Sequence, residues 1–300
     1  MSSATSTRSL PLAAALGALI NATVWGFSWY PLKWLEAHGL GSLWATFLVF
    51  LVCTLGVLAY RPGAWAALMR APVLAWLALA AGMTNVCFNI ALATGDVVRS
   101  VLLFYLMPMW VVWLARWLLR EPITLMAVAR VALALFGAVL VLGEGQWVIP
   151  IPNSLADWLA VAGGFFFGLN NVILRKYANV SDEARALAMF GGAVVCAPVA
   201  IFVMMLVDMP ITFAPQSVAW IGLALFAVAV LIANLALQYG ASRLRANVLS
   251  VLMLAEILVA TVTSWAAGAA TITSFTLIGG AFIVSASLLA IFSKTSDVSV

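Results

Sequence analysis

Two stretches of the sequence are nearly the same phrase: "FNIALATG" at residues 88–95 and "ANLALQYG" at residues 233–240. Asn, Ala, Leu and Gly recur in the same four positions of each octamer. Asn89 and Asn234 lie 145 residues apart, which is close to half of the 300-residue chain. This spacing raises the question of whether the chain is built from two related halves, and the rest of the sequence has to answer it.

The composition is that of a membrane protein. Hydrophobic residues make up 66% of the chain and charged residues 8%, whereas a soluble domain carries roughly 25% charged residues. Apolar runs of about 20 residues, the length of a membrane-spanning helix, fill nearly the whole sequence. The alternation of polar and apolar residues that marks a barrel strand is absent. The sequence therefore predicts an all-α integral membrane protein.

We place ten membrane-spanning helices, joined by links too short to hold a soluble domain. The first span is too long for a cleaved signal peptide, and nine more follow it. The predicted spans are 10–32, 41–60, 72–93, 98–119, 123–142, 155–174, 186–207, 217–239, 246–267 and 272–292.

The Lys and Arg residues collect at alternate links. With both termini in the cytoplasm, only Lys33 and Arg99 of the fourteen basic residues fall outside, and the other twelve lie on or near the cytoplasmic side. Such a bias predicts orientation in the cell (inner) membrane. It also accounts for the net charge of +4 without a nucleic-acid partner.

The octamer is one part of a longer repeat. "WGFSWYPLKW" at 25–34 aligns with "FGLNNVILRK" at 167–176, which pairs span one with span six. Five helices are then followed by five related helices, and the odd number requires the second set to enter the membrane from the opposite side. We predict a first repeat at 10–142, an outer-side linker at 143–154 and an inverted second repeat at 155–292. Inverted repeats are typical of carriers that work by alternating access.

The chain resembles the drug/metabolite transporter superfamily, specifically its EamA-type members with ten helices. The stretches that carry the resemblance are "WGFSWYPLKW" in span one, "NIALATGDVVRSVLLFYLMPMW" across spans three and four, "LLREPI" before span five, and "NLALQYGASRLRANVLSVLMLAEIL" in the second half. Within the superfamily the chain is most similar to the YddG-type amino-acid exporters, which implies export. EamA repeats often place an acid after the fourth helix of each half. Glu121 fills that position in the first half, and the second half reads "AAGAAT", with no acid.

Signatures of enzymes are almost absent from the sequence. His38 is the one histidine, no pair of acids lies inside a span, and no phosphate-binding loop occurs. Cys53, Cys87 and Cys196 are scattered over predicted spans, which favours small buried hydrophobic residues over a disulfide or a metal site. We therefore predict a secondary transporter that is not an enzyme and that needs no cofactor or metal.

The polar residues inside the spans are the candidate substrate-binding residues. Glu256 lies in the middle of span nine, where a charged acid costs roughly 2.5–3.5 kcal/mol. It either binds a substrate ammonium group or a coupling proton, or it is neutral and bonded to a neighbouring helix. The amides in the spans either line a cavity or bond between helices, and two pairs of them, Asn85 with Asn89 and Asn234 with Gln238, share a helix face at four-residue spacing. The full set of amides is Asn21, Asn85, Asn89, Asn170, Asn171, Asn234 and Gln238.

Aromatic residues on spans one, four and six could stack on a substrate or a cation. The candidates are Trp25, Trp29, Phe104, Tyr105, Trp110, Phe166 and Phe167. Of these, we place Trp25, Trp29, Tyr105 and Phe166 in the predicted site. Pro108 removes a backbone hydrogen bond from span four, and we predict a hinge there.

The absence of Lys and Arg near the midplane disfavours phosphorylated substrates. A cavity of amides, aromatic rings and one acid suits amino acids, especially aromatic or apolar ones, carried by facilitated diffusion. The alternatives are a proton-coupled multidrug or organic-cation exporter of the same fold and, less favoured, a membrane-embedded enzyme or lipid scramblase. The sequence predicts a small-molecule substrate and a lipid environment; it leaves the oligomeric state open, and a monomer is compatible with it.

Overall fold

A computed structural model describes residues 9–143, 151–206, 208, 211–269 and 271–292. Within them lie ten helical spans of 18 to 26 residues, each apolar enough to cross a membrane. The predicted all-helical, ten-span fold is thereby confirmed. Two boundaries differ by several residues from the predicted ones: span one continues to Ala37, and span seven begins at Asp182. The spans are Leu12–Ala37, Ser42–Tyr60, Pro72–Thr94, Arg99–Leu118, Leu125–Gly143, Leu155–Lys176, Asp182–Leu206, Ser217–Ala241, Ala246–Ala266 and Ser274–Ile291.

Fourteen α-helices build these spans and one short surface segment. A membrane offers no water to backbone polar groups, so each spanning segment satisfies them within its own helix. In chain order the helices are α1 (Ser9–Phe27), α2 (Trp29–Ala37), α3 (Ser42–Tyr60), α4 (Ala64–Met69), α5 (Ala75–Thr94), α6 (Val97–Phe104), α7 (Met107–Leu118), α8 (Leu125–Gly143), α9 (Leu155–Lys176), α10 (Asp182–Leu206), α11 (Ser217–Ala241), α12 (Ala246–Met253), α13 (Ala255–Ala266) and α14 (Ser274–Phe292). Spans one, four and nine each consist of two helices.

The packing of the helices follows the pairing of spans that lie five apart. Helix α5 packs on α9 as α11 packs on α1, and span four packs on α9 as span nine packs on α1. Helices α8 and α14 cross each other, as do α3 and α10. Each of these contacts between two spans has a counterpart between the two spans that lie five places away in the chain. The contacts of α8 with α14 and of α3 with α10 are their own counterparts. This is the pattern expected of two related halves. We call spans three, four and six the first group, and spans one, eight and nine the second group.

The repeated octamer has a packing role at its terminal glycine. A Cβ atom on Gly95 would lie 2.7 Å from Cβ of Ala156, and one on Gly240 would lie 2.8 Å from the carbonyl oxygen of Ala14. Ala14 and Ala156 themselves occupy corresponding positions of spans one and six. The two copies of the phrase therefore let span three approach span six, and span eight approach span one, in the same way.

The two ends of the bundle differ in charge. One end, the basic face, carries the links around 61–71, 119–124, 177–181 and 242–245, with most of the arginines. At the opposite face, Arg99 Nε donates to Asp157 Oδ2 at 2.8 Å, and Leu40 and Phe213 form an isolated antiparallel bridge between two links. The predicted linker at 143–154 falls mainly on residues 144–150, which lie outside the described residues.

The two groups meet mainly in the half of the bundle near the basic face. Helix α12 contacts α7 and α9, and α11 contacts α9. In the half of the bundle near the opposite face, the pair that corresponds to α12 with α7 is α6 with α13. These two helices make at most marginal contact among the described residues. All eight residues of α12 are buried, whereas Ile257 is the one buried residue of α13. The structure is therefore closed between the groups at the basic face and separated at the opposite face.

Candidate functional site

A cavity lies between the two groups, near the middle of the spans. Its volume is about 120 Å³, which is several times the 10–15 Å³ or so that one water molecule needs on the same measure. Spans one, two, three, four, six, seven, eight and nine contribute to its wall, so both halves build it. The lining residues are Trp25, Phe50, Ala81, Thr84, Asn85, Phe88, Phe104, Tyr105, Met107, Phe167, Asn170, Met189, Asn234, Leu237, Met253 and Glu256.

Two helices are interrupted at the level of this cavity, at corresponding positions of the two halves. Span four consists of eight residues in α6 and twelve in α7, and span nine consists of eight in α12 and twelve in α13. Pro108 lies in the first turn of α7, where a missing backbone N–H does not disturb the helix. No proline interrupts span nine. Paired broken helices at mid-membrane are the usual position of a binding site in carriers with inverted repeats.

Glu256 lies in the first turn of α13, directly after the interruption. Glu256 lines the cavity together with Tyr105, which comes from the interruption of span four. The N-terminus of a helix carries partial positive charge that favours a carboxylate. Gly26 makes this arrangement possible, because a Cβ atom there would lie 2.5 Å from the Glu256 carbonyl oxygen.

Three asparagines lie in the wall of the cavity, and each has an amide oxygen that accepts no hydrogen bond among the described residues. The amide nitrogens of Asn85 and Asn234 donate to the carbonyl oxygens of Ala81 and Val230, each at 2.9 Å and one turn earlier in the same helix. That bond fixes the amide orientation and leaves each Oδ1 free to accept. Asn170 Oδ1 has no hydrogen-bond partner among the described residues. Together with Glu256, these groups can receive several N–H donors from a bound molecule.

Aromatic rings form much of the remaining wall. Trp25 and Phe50 stack with ring centroids 6.4 Å apart, and Phe104 lies 4.4 Å from Phe88 and 5.8 Å from Phe167. Of the described residues that line the cavity, none is Lys, Arg or His. The site therefore offers one carboxyl group, amide acceptors and apolar ring faces to its ligand.

Several residues predicted for the site lie outside this wall. Asn89 contributes to a much smaller crevice towards the opposite face, beside Thr46. Gln238 is buried near the basic face. In the amide orientation that satisfies both of its polar atoms, it donates to the Asp182 carbonyl and accepts from the Ala186 N–H, both at 3.3 Å. Both residues lie one helical turn, about 6 Å, away from the depth of the cavity.

Three further predicted residues pack within the bundle. Asn21 is fully buried, and its amide has no partner among the described residues. Trp29 Nε1 donates to Thr263 Oγ1 at 3.0 Å, so this ring joins span one to span nine. Phe166 packs against Phe165 at 5.6 Å between ring centroids. None of the three lines the cavity, because a span has one face towards it and these side chains point to other neighbours.

The structure also adds residues that sequence reasoning missed. Phe50 on span two, Met189 on span seven and Leu237 on span eight line the cavity. They are apolar residues in apolar helices, and their types do not distinguish a cavity wall from a lipid-facing surface. Among the missed residues, Thr84 could have been predicted from the sequence, because it is a polar residue inside a span and lies beside Asn85.

Several hydrogen bonds link separate segments at the closed basic face. Arg175 Nη1 donates to the Ser242 carbonyl at 2.6 Å, and Gln238 joins α11 to the start of α10. The Ala246 backbone N–H, at the start of α12, donates to Glu121 Oε1 at 3.4 Å. Arg245, the residue at the N-cap of α12, makes no side-chain cap. Glu121 therefore caps a helix of the other half.

Comparison with known proteins agrees with this architecture. Residues 12–143, the first five spans, match the family model described as the EamA-like transporter family. This part of the chain is therefore similar to the EamA-like transporter family. No curated protein matches the chain. A solved structure described as "Crystal structure of protein" is 21% identical, with a TM-score of 0.75, covering 92% of this chain and 96% of its own. That similarity concerns the fold.

Proposed function

We propose that the chain is a secondary transporter of the drug/metabolite transporter superfamily that exports small amphipathic molecules with an amino group, amino acids foremost, across the inner membrane. The observation that carries the proposal is the Glu256 carboxyl group in a cavity that both halves build. A protonated amine can pair with this carboxyl and donate to the Asn85, Asn170 and Asn234 oxygens. An apolar or aromatic side chain can pack on the surrounding rings.

The arrangement of the two groups supports alternating access as the mechanism of this proposed transporter. They are closed at the basic face, which we take as cytoplasmic, and separated at the opposite face. Two halves related by a pseudo-two-fold axis also allow the opposite arrangement, in which the outer halves of spans four and nine meet and their inner halves separate. The structure corresponds to an outward-facing state of such a cycle.

The test is transport by the purified protein in liposomes. We expect saturable uptake of labelled phenylalanine or leucine into proteoliposomes loaded with the same unlabelled amino acid, above the level of protein-free liposomes. Glu256→Gln should weaken this uptake, and Glu36→Gln, an exposed acid outside the cavity, should leave it unchanged. Uptake equal to that of protein-free liposomes for amino acids and amines alike would contradict the proposal.

A second candidate is export of organic cations. It is favoured by the cavity wall itself, which has a carboxyl group and amide acceptors but no Lys, Arg or His among its described residues. Phenylalanine and 2-phenylethylamine differ by one carboxylate and form a matched pair for the test. Transport of the amine with rejection of phenylalanine would favour the cation exporter, and the reverse would favour the amino-acid exporter.

A further inference from the structure

A second hollow lies on the outside of the bundle, between the outer halves of spans one and eight. It is a groove of about 590 Å³ that faces the bilayer. Phe27, Tyr30 and Trp34 line it from span one, and Ile221, Gly222 and Leu225 line it from span eight. Ile221 and Leu225 are 64% and 69% exposed, so the groove is open to hydrocarbon along its length.

The groove is a feature of one half of the repeat. Gly222 corresponds to Leu77 in span three, and Tyr30 corresponds to Val172 in span six. Leu77 and Val172 are both fully buried, Val172 in an apolar cluster with Val111 and Leu114 of span four, so the equivalent surface near the basic face is packed. At Gly222 a Cβ atom would lie 2.3 Å from the Trp34 ring. The Trp34 ring lies over the bare backbone, and the helices stay apart beyond it.

The dimensions of the groove fit one leaflet. It extends along α11 from Val218, at the start of the helix, to Ala229. Eleven residues of helix are about 16 Å long, and half of the hydrocarbon core is about 15 Å thick. The groove therefore begins at the membrane surface of the opposite face and ends near the midplane.

A cation lies among the lining residues of span one in the sequence, although it does not itself line the groove. Lys33 lies next to Trp34 and is exposed, with its Nζ 5.7 Å from the centroid of the Trp29 ring. No carboxylate of the described residues pairs with it. Basic side chains at this level attract the phosphates of anionic lipids.

We propose that the groove binds one acyl chain of an anionic phospholipid from the leaflet at the opposite face, with the phosphate beside Lys33. The chain fills the gap between Trp34 and Leu225 that the helices leave open. Phe226, at the bottom of the groove, belongs to the same apolar cluster as Trp25 and Phe50. The bound chain therefore supports the outer side of the cavity wall.

Photo-crosslinking tests the occupant of the groove. The protein is placed in nanodiscs that contain phosphatidylglycerol with a diazirine on one acyl chain, and the labelled peptides are identified by mass spectrometry. We expect adducts concentrated on residues 23–34 and 218–229. Ala229→Phe, which fills the inner end of the groove, should lower their yield at least fivefold. Ala224→Phe, an exposed site on the same helix outside the groove, should leave the yield unchanged.

The headgroup part of the proposal is tested separately. Lys33→Gln should reduce labelling by phosphatidylglycerol to the level found with a diazirine phosphatidylcholine, and Lys176→Gln, at the basic face, should have no such effect. Equal labelling of all lipid-facing spans, or full labelling of Ala229→Phe that retains the wild-type melting temperature, would overturn the acyl-chain site. Crosslinks to a second copy of the chain would show that a protein covers the groove instead. A Lys33→Gln variant with unchanged lipid preference would overturn the phosphate contact.

Discussion

At the scale of single residues, Glu256 carries most of the functional argument. A carboxyl group near mid-membrane is costly, and two local features offset that cost. It lies at the N-terminal end of a half-helix, and Tyr105 lines the same cavity. The first turn of the corresponding helix α7 in the first half carries no acid. The two halves therefore differ in charge at the interruptions of their broken helices, beside the cavity.

The first prediction concerns the role of this carboxyl group. Because the cavity wall has no second carboxyl group, we expect facilitated diffusion down the substrate gradient. Glu256→Gln should then raise the KM about tenfold, the effect of losing one hydrogen bond to a charged group. Exchange between equal pools should continue. Accumulation by the wild type against its gradient, driven by an imposed pH difference and lost in Glu256→Gln, would instead demonstrate proton exchange.

The second prediction concerns Gly26. Alanine there would place a Cβ atom 2.5 Å from the Glu256 carbonyl oxygen and 2.8 Å from Cβ of Val259. Overpacking of this kind costs about 1–3 kcal/mol, so Gly26→Ala should lower the melting temperature in detergent and displace Glu256. Gly56→Ala is the matched control, since nothing lies within 4 Å of a Cβ at that site. Equal melting temperatures and equal KM values for both variants would contradict the tight contact.

The sequence predicted part of this site because of its chemistry. A polar group in an apolar span has few reasons to be there, and Glu256, Asn85, Asn170 and Asn234 were found in this way. Four-residue spacing also gave Asn89 and Gln238, but it shows only that two residues share a helix face. Each is one turn away in depth, outside the cavity. The apolar wall residues, such as Met189, gave no signal at all.

At the scale of elements, the broken spans show where sequence reasoning reached its limit. Pro108 indicated an interruption in span four, and the structure places the proline at the start of α7. The interruption of span nine has no proline, and its residues Met253–Glu256 are ordinary helix formers. Tertiary packing distinguishes the two segments, because α12 contacts α7, α8 and α9 in addition to the α1 and α14 that α13 also contacts. A repeat aligned in three dimensions reveals this, and a single sequence does not.

The cap on α12 makes the two halves unequal at their loops. Arg120 has a left-handed backbone with φ of 59°, and Glu121 then reaches the Ala246 N–H in the other half. In the second half Gly268 takes the same turn with φ of 71°, and Ala269 stands where Glu121 would be. Helix α6 is capped by its own Asp96, which accepts from the Arg99 N–H at 2.8 Å. The hydrogen bond between the halves therefore exists at the basic face alone, among these paired loops.

The third prediction follows from that cap. Losing an N-cap costs about 1 kcal/mol, so Glu121→Ala should shift the balance towards the state open at the basic face by about fivefold. Glu121→Gln keeps an acceptor oxygen and should retain most of the closed state. Arg245→Asp should also loosen the closure, because α12 can then cap itself as α6 does.

Spin labels on α7 and α12 near the basic face measure this balance directly. The expected result is a second, longer distance that gains population in Glu121→Ala and in Arg245→Asp. Glu36→Ala, at the opposite face, should show the wild-type distribution. A Glu121→Ala distribution identical to wild type would mean that the cap does not control the closure.

At the scale of the whole molecule, the composition and the positions of the basic residues were enough to place all ten spans. Span lengths are set by the bilayer, so the boundaries at Tyr60 and Gly143 fall where hydropathy puts them. The division into halves rests on motifs that recur about 145 residues apart. Gly95 and Gly240, the last residues of the repeated octamer, both allow close approach of two spans. Which face was closed could not be read from the sequence, because both states use the same helices.

The last prediction concerns that conformational state. With contacts between the groups at the basic face and separation at the opposite face, a water-soluble reagent should enter the cavity from the outside. In a background with Cys53, Cys87 and Cys196 changed to Ala, Thr84→Cys places one thiol in the cavity wall. A membrane-impermeant maleimide should modify it several-fold faster in right-side-out vesicles than in inside-out vesicles. Adding Glu121→Ala should lower the ratio of the rate in right-side-out vesicles to the rate in inside-out vesicles, because the cytoplasmic side then opens more often. If the Thr84→Cys variant without Glu121→Ala is modified faster from the cytoplasmic side, the protein rests in the opposite state. The cap on α12 is then too weak to hold the basic face closed.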